Sequence, residues 1–226
     1  MKNRFSRSAQ SITQPSFASL LRQWIKAACA LVTGVLLYSV AAAQTKLQPL
    51  VWATFENTAT TAQGGNVNGF SYSEKPGDVV TAPLNVITGM LFVRGSFVAK
   101  NASAWSGVGV SIEAANGQLV NATGYKTLSI RLSALNATKL RLRLSGAEEK
   151  TKSNGCYPVF TQFVNTEERK YEIPLSKFAS EAYCGNNAVD LTKTLQNLSA
   201  IEVADTNDPV KARSAQFTVA SITLLP

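Results

Sequence analysis

Between Lys126 and Ser145, leucine or isoleucine alternates with a polar residue through two successive runs, Thr127–Ser133 and Lys139–Ser145. A period of two is the signature of a β-strand with one buried face. Leu128, Ile130, Leu132, Leu140, Leu142 and Leu144 share one parity, and Ser129, Arg131, Arg141 and Arg143 share the other. The pattern predicts two strands whose apolar sides cover a core. Their opposite sides form a polar, arginine-bearing sheet face, free to meet water or a ligand.

The chain of 226 residues opens with a segment of a different kind. Met1 to Lys26 carries Lys2, Arg4, Arg7, Arg22 and Lys26 and no acidic residue, Ala27 to Val40 is apolar, and Ala41-Ala42-Ala43 follows. That order predicts a signal peptide over 1–43, cut after Ala43, with a secreted or periplasmic product beginning at Gln44. An uncleaved anchor is the alternative, but the apolar run is shorter than the roughly 20 residues that a spanning helix needs. No stable membrane span is therefore expected after leader removal. Five of the 22 Lys and Arg residues fall in this leader, leaving 17 against 14 Asp and Glu, close to +3. Such a balance gives no reason to expect a nucleic-acid partner.

From 44 to 226 a single domain is expected, large enough to bury a sizeable core. Runs such as Leu50–Glu56, Asn68–Tyr72, Met90–Arg94, Gly107–Glu113, Cys156–Val164, Lys170–Ile173, Ala200–Ala204 and Gln216–Leu225 read as further strands. Pro76-Gly77, Asn116-Gly117 and Asn154-Gly155 mark turns between them. Leu191–Leu198 reads as a short helical turn. Short strands at this spacing predict an all-β, antiparallel β-sandwich of about eight to ten strands. Within Gly107–Glu113 the glycines alternate with Val108, Val110 and Ile112, which leaves room on one face for a close approach.

Two cysteines follow the leader, Cys156 and Cys184. In an exported chain such a pair predicts one disulfide, worth about 3 kcal/mol by loop entropy. The absence of histidine from the sequence excludes histidine triads, imidazole–zinc sites and histidine acid–base catalysis. Paired carboxylates remain as a route to a small glycoside hydrolase or lyase, since Glu113, Glu148, Glu149, Glu172, Glu202 and Asp205 are present.

One order of motifs carries a resemblance. Gly124-Tyr-Lys-Thr-Leu-Ser-Ile-Arg-Leu is followed by the Lys-Leu-Arg-Leu-Arg-Leu run and by Gly155-Cys-Tyr-Pro-Val-Phe-Thr-Gln162. Tyr171-Glu-Ile-Pro-Leu-Ser-Lys-Phe178, Ala182-Tyr-Cys-Gly185 and Phe217-Thr-Val-Ala-Ser-Ile-Thr-Leu complete it. This order, with Trp105-Ser-Gly-Val-Gly109 before it, resembles the galactose-binding-like β-sandwich modules of bacterial polysaccharide-degrading proteins. It is also similar to the complex I intermediate-associated domain. The resemblance implies a jelly roll whose concave face binds a polysaccharide or oligosaccharide without catalysis, beside a separate glycoside hydrolase. It also implies a structural calcium near the paired termini, for which Glu56 is the nominated ligand. No other cofactor is implied, and a protein-interaction or assembly module on the same fold is the alternative.

Sugar recognition needs aromatic plates for pyranose faces and planar polar groups for hydroxyls. Arg131, Arg141, Arg143 and Gln162 are the expected polar contacts, and Trp105, Tyr157 and Tyr183 the expected plates. Each has a plainer alternative: solvated arginines, tyrosines packed on the disulfide, a tryptophan in the core.

Overall fold

The computed structural model describes residues 46–56, 65–98, 100–148, 155–207 and 212–226. The predicted leader and its cleavage point at Ala43 lie outside the described residues. Leu47–Pro226 forms one compact unit.

Its strands are β1 (Leu50–Thr54), β2 (Val67–Ser73), β3 (Val79–Thr81), β4 (Asn85–Ile87), β5 (Met90–Phe97) and β6 (Ser106–Glu113). They continue as β7 (Thr127–Ala134), β8 (Lys139–Ser145), β9 (Val159–Phe163), β10 (Arg169–Pro174), β11 (Ala200–Asn207) and β12 (Arg213–Leu225). A large sheet of seven strands runs β10-β7-β12-β5-β3, with β1 also on β12 and β4 on β5. A small sheet of five strands runs β2-β6-β11-β8-β9. All pairings are antiparallel. The fold is thus the expected antiparallel β-sandwich. The two strands that sequence reading passes over, β3 and β4, have three residues each, too few to display a period.

The alternation of β7 and β8 is realised in full. Leu128, Ile130, Leu132, Leu140, Leu142 and Leu144 are all 0% exposed. Each such burial contributes about 2 kcal/mol. The two strands do not lie side by side, however: β7 pairs with β10 and β12, whereas β8 pairs with β9 and β11. Residues 135–138 carry the chain from one sheet to the other. Four residues reach about 13 Å, enough for the roughly 10 Å between packed sheets. The two leucine rows therefore face each other across the core. Trp52 joins that core, and its indole N–H donates to the Ile112 carbonyl at 3.0 Å.

The helical turn forms as α1 (Leu191–Gln196), with the Asp190 carboxylate capping the Lys193 N–H. Cys156 and Cys184 are joined in the expected disulfide. Both cysteines are buried, yet with Tyr157 and Val189 they stand apart from the main hydrophobic core.

Candidate functional site

The outer face of the small sheet gathers most of the chemistry. Because Val108, Val110 and Ile112 fill the core, Gly107, Gly109, Ser111 and Glu113 look outward from β6. On the neighbouring edge strand Phe70 lies opposite Gly109 and Tyr72 opposite Gly107. Their rings occupy the space the glycines leave. A Cβ at Gly109 would come within 2.6 Å of Phe70 Cζ, and one at Gly107 would collide with the Tyr72 ring. Phe70 and Tyr72 stack at 6.2 Å, and Trp105 continues the row at 6.3 Å from Tyr72. Trp105 is half exposed, so the core reading of this residue fails.

The loop before Trp105 is fixed from below by Asp78. This carboxylate accepts hydrogen bonds from the backbone N–H of Asn101 (2.7 Å) and Ser103 (2.9 Å) and from Ser103 Oγ (2.8 Å). Burial opposes its ionisation, but these bonds outweigh it and hold the carboxyl below its ordinary range.

Across the sheet, Arg141 and Arg143 look outward from β8, opposite Ala204 and Glu202 of β11. The Arg141 guanidinium pairs with Glu181 and sits beside the hydroxyls of Tyr72 and Tyr183. Burial works against its charge, yet Glu181 and the two tyrosines more than offset this and push its pKa up. Burial also drives the Tyr72 hydroxyl up to about 12, against the opposing pull of Arg141 and Arg143. Arg143 pairs with Glu202, which also accepts from Ser145 Oγ at 2.7 Å. Glu113 accepts from Asn66 (3.0 Å) and Asn68 (3.1 Å). Ser111, Glu113, Arg143, Ser145, Tyr157 and Glu202 line an open hollow of about 360 Å³ on this face.

The expected residues separate in space. Trp105, Arg141, Arg143 and Tyr183 come together here. Arg131 does not: it belongs to β7, on the outer face of the large sheet, where it pairs with Glu168. Equal parity on strands of opposite sheets puts side chains on opposite outer surfaces. Gln162 lies opposite the core residue Leu140, so its parity is inward, and its amide donates to the Phe163 carbonyl at 2.7 Å. The outward residues of β9 are Val159, Thr161 and Phe163, opposite Arg143, Arg141 and Lys139. Tyr157 is 2% exposed, its hydroxyl 2.7 Å from the Glu148 carbonyl and 3.0 Å from that of Gly146. It is a wall of the hollow rather than a plate.

Glu56 is exposed at the end of β1, and among the described residues no cluster of three or more His, Cys, Asp or Glu forms a metal site.

Sequence reading missed Phe70, Tyr72, Phe163 and Glu181, and weighed Glu202 only as a carboxylate for hydrolysis. The signal for the first two was present: the Phe-Ser-Tyr alternation puts both rings on one face, and the glycines of β6 provide their seat. No local signal marks the carboxylates, which are chosen by cross-strand and loop contacts.

Two solved structures share this architecture. One is the family 11 carbohydrate-binding module from Clostridium thermocellum, in complex with a β-1,3-1,4-mixed-linked tetrasaccharide. It superposes with a TM-score of 0.52 at 16% identity, over 80% of this chain and 97% of that one. The other is a family 30 carbohydrate-binding module, with a TM-score of 0.50 at 13% identity over 79% and 98%. The fold is the β-sandwich of these two carbohydrate-binding modules. No family model and no curated protein matches the sequence.

Proposed function

We propose that this chain is an exported, non-catalytic carbohydrate-binding module that holds a polysaccharide against the outer face of its small sheet. One observation carries the reading. Among the described residues the exposed aromatic side chains are Trp105, Phe163 and Tyr183, and all three lie on or beside that face, with Phe70 and Tyr72 in a row with Trp105. Such rings offer apolar plates to pyranose faces. The paired arginines and carboxylates supply planar donors and acceptors for hydroxyls, already oriented by one another.

The carboxylates of the hollow favour binding over hydrolysis. Glu113 and Glu202 are each engaged by neighbouring donors, so neither stands free for proton transfer. Work beside a separate glycoside hydrolase completes the proposal. The disulfide supports export, because such bonds persist in oxidising compartments. N-terminal sequencing of the exported protein should begin at Gln44.

The binding test is affinity electrophoresis of the mature chain through gels carrying mixed-linked β-glucan, xylan, agarose or a soluble cellulose derivative. Retardation by at least one polymer, abolished in Tyr72→Ala, is the expected result. Free migration through every polymer would overturn the reading.

A further inference from the structure

The segment from Glu181 to Ala188 belongs to neither sheet, yet it brings two side chains to Arg141. Glu181 pairs with the guanidinium, and Tyr183, 67% exposed, holds its hydroxyl beside it. Its ends are held by the Ala179–Val159 backbone bridge on one side and the capped helix α1 on the other, but between them few side chains are covered. Ala182, Tyr183 and residues 185–188 are exposed, and Cys184 is the buried residue among them. The short helical turn at Ala182–Asn187 has no side-chain cap. Ser180 Oγ closes the base of the segment by donating to the Val189 carbonyl at 2.8 Å, and the Val189 N–H donates to the carbonyl of the partner cysteine, Cys156, at 3.2 Å.

Cys156 stands at a second contact with the arginines. The preceding carbonyl, of Gly155, lies 3.5 Å from Arg143 Nη1, and the following residue, Tyr157, walls the hollow. The single bond between Cys156 and Cys184 thus joins the surroundings of Arg143 to those of Arg141. Its cluster is separate from the main core, so the sandwich does not depend on it for burial.

We infer that the Cys156–Cys184 disulfide positions a binding arm, Glu181–Ala188, and that the arginine half of the site is complete only when this bond is closed. Within the carbohydrate-binding reading on which this rests, Tyr183 is the plate the arm delivers and Glu181 the group that orients Arg141. Reduction by a dithiol adds two electrons and two protons at the sulfur pair. It opens the S–S bond to two thiols, and the reductant leaves as its own cyclic disulfide. The sandwich then remains while the arm loses its anchor. A chain still in a reducing compartment would be folded but poor at binding, and oxidation after export would complete the site.

The test uses the oxidised mature chain, the same chain reduced with dithiothreitol, and the Cys156→Ser/Cys184→Ser variant. Hydrogen exchange read by mass spectrometry needs no ligand. Faster exchange confined to 180–189, with β7, β8, β11 and β12 still protected, is expected in both thiol and serine forms. Unchanged protection of 180–189 would overturn the inference, as would collapse of protection throughout the sandwich.

Affinity for mixed-linked β-glucan is the second readout. Opening the bond should weaken it about tenfold or more, and Tyr183→Ala should weaken the oxidised chain similarly. The combined change should cost little more than either alone, because both remove one element. Fully additive losses would show that arm and bond act separately and would sink the inference. Absence of glucan binding in the oxidised chain and on every other polymer would count against the proposed function. The exchange pattern would still decide whether the bond positions the arm.

Discussion

The two outer faces of this sandwich are built from the same alternating pattern and differ in what the outward positions carry. On β7 and β12 of the large sheet they are mostly short hydroxyl side chains. Ser129 faces Thr223 across the β7–β12 ladder, Arg131 faces Ser221, and Ser133 bonds Thr218 at 2.7 Å. Its ion pairs, Arg131–Glu168 and Lys170–Glu172, hold side chains that are mostly more than half exposed. Exposed pairs of this kind contribute about 0–1 kcal/mol. On the small sheet the arginines are largely covered, at 16% and 19% side-chain exposure for Arg141 and Arg143. Aromatic rings and carboxylates cover them. An arginine on a strand is therefore not a binding residue by type. In the proposed function, fixed neighbours make it one by removing its freedom before a ligand arrives.

Replacing Arg141 and Arg131 in turn is the sharpest way to break that comparison. Arg141→Ala should weaken polysaccharide binding by about 2 kcal/mol or more, since it leaves Glu181 and Tyr72 without their shared partner. Titration calorimetry against the polymer found in the gel assay would measure this. Equal losses from Arg141→Ala and Arg131→Ala would erase the distinction between the faces. Next in size is Gly109→Val, in which the new side chain meets Phe70, Ala204 and the Val203 carbonyl. Overpacking of this kind costs about 1–3 kcal/mol. Denaturant unfolding should show the loss, and the displaced Phe70 ring should take binding with it.

Trp105→Ala removes a plate at the end of the aromatic row and should cost binding about 1 kcal/mol, with stability nearly unchanged. A smaller effect follows from Tyr72. Its hydroxyl ionises near 12 in the folded chain against 10.0 ordinarily, because burial disfavours the phenolate. A group that holds its proton more tightly when folded contributes its stability in full below pH 10. That contribution is lost as pH climbs toward 12. Ultraviolet titration should find a late-titrating tyrosine that is absent in Tyr72→Phe. The smallest change expected is Arg131→Ala, within about 0.5 kcal/mol in both stability and binding.

Much of the fold was legible because strand parity is a local property. The leucines of β7 and β8, the glycines of β6 and the β12 run each announce a buried and an open side over a few residues. The disulfide was legible because only two cysteines lie beyond residue 43. Of the three aromatics expected as plates, Trp105 and Tyr183 are exposed, but Tyr157, equally aromatic and as close to a cysteine as Tyr183, is buried. Nothing within a few residues separates Tyr157 from Tyr183. The difference lies in the Gly146 and Glu148 carbonyls, which take up the Tyr157 hydroxyl from another part of the chain.

By itself, the sequence determined which side of each long strand is apolar, and hence that a sandwich core would form. The tertiary structure alone decided which sheet each strand joins. β7 finds its partners at 169–174 and 217–225, and β8 finds its own at 159–163 and 200–205. Those distant pairings place Arg131 on one surface and Arg141 with Arg143 on the other. Alternation specifies a direction relative to the core, whereas sharing a face also requires sharing a sheet, and sheet membership is settled by hydrogen bonds between segments far apart in the chain.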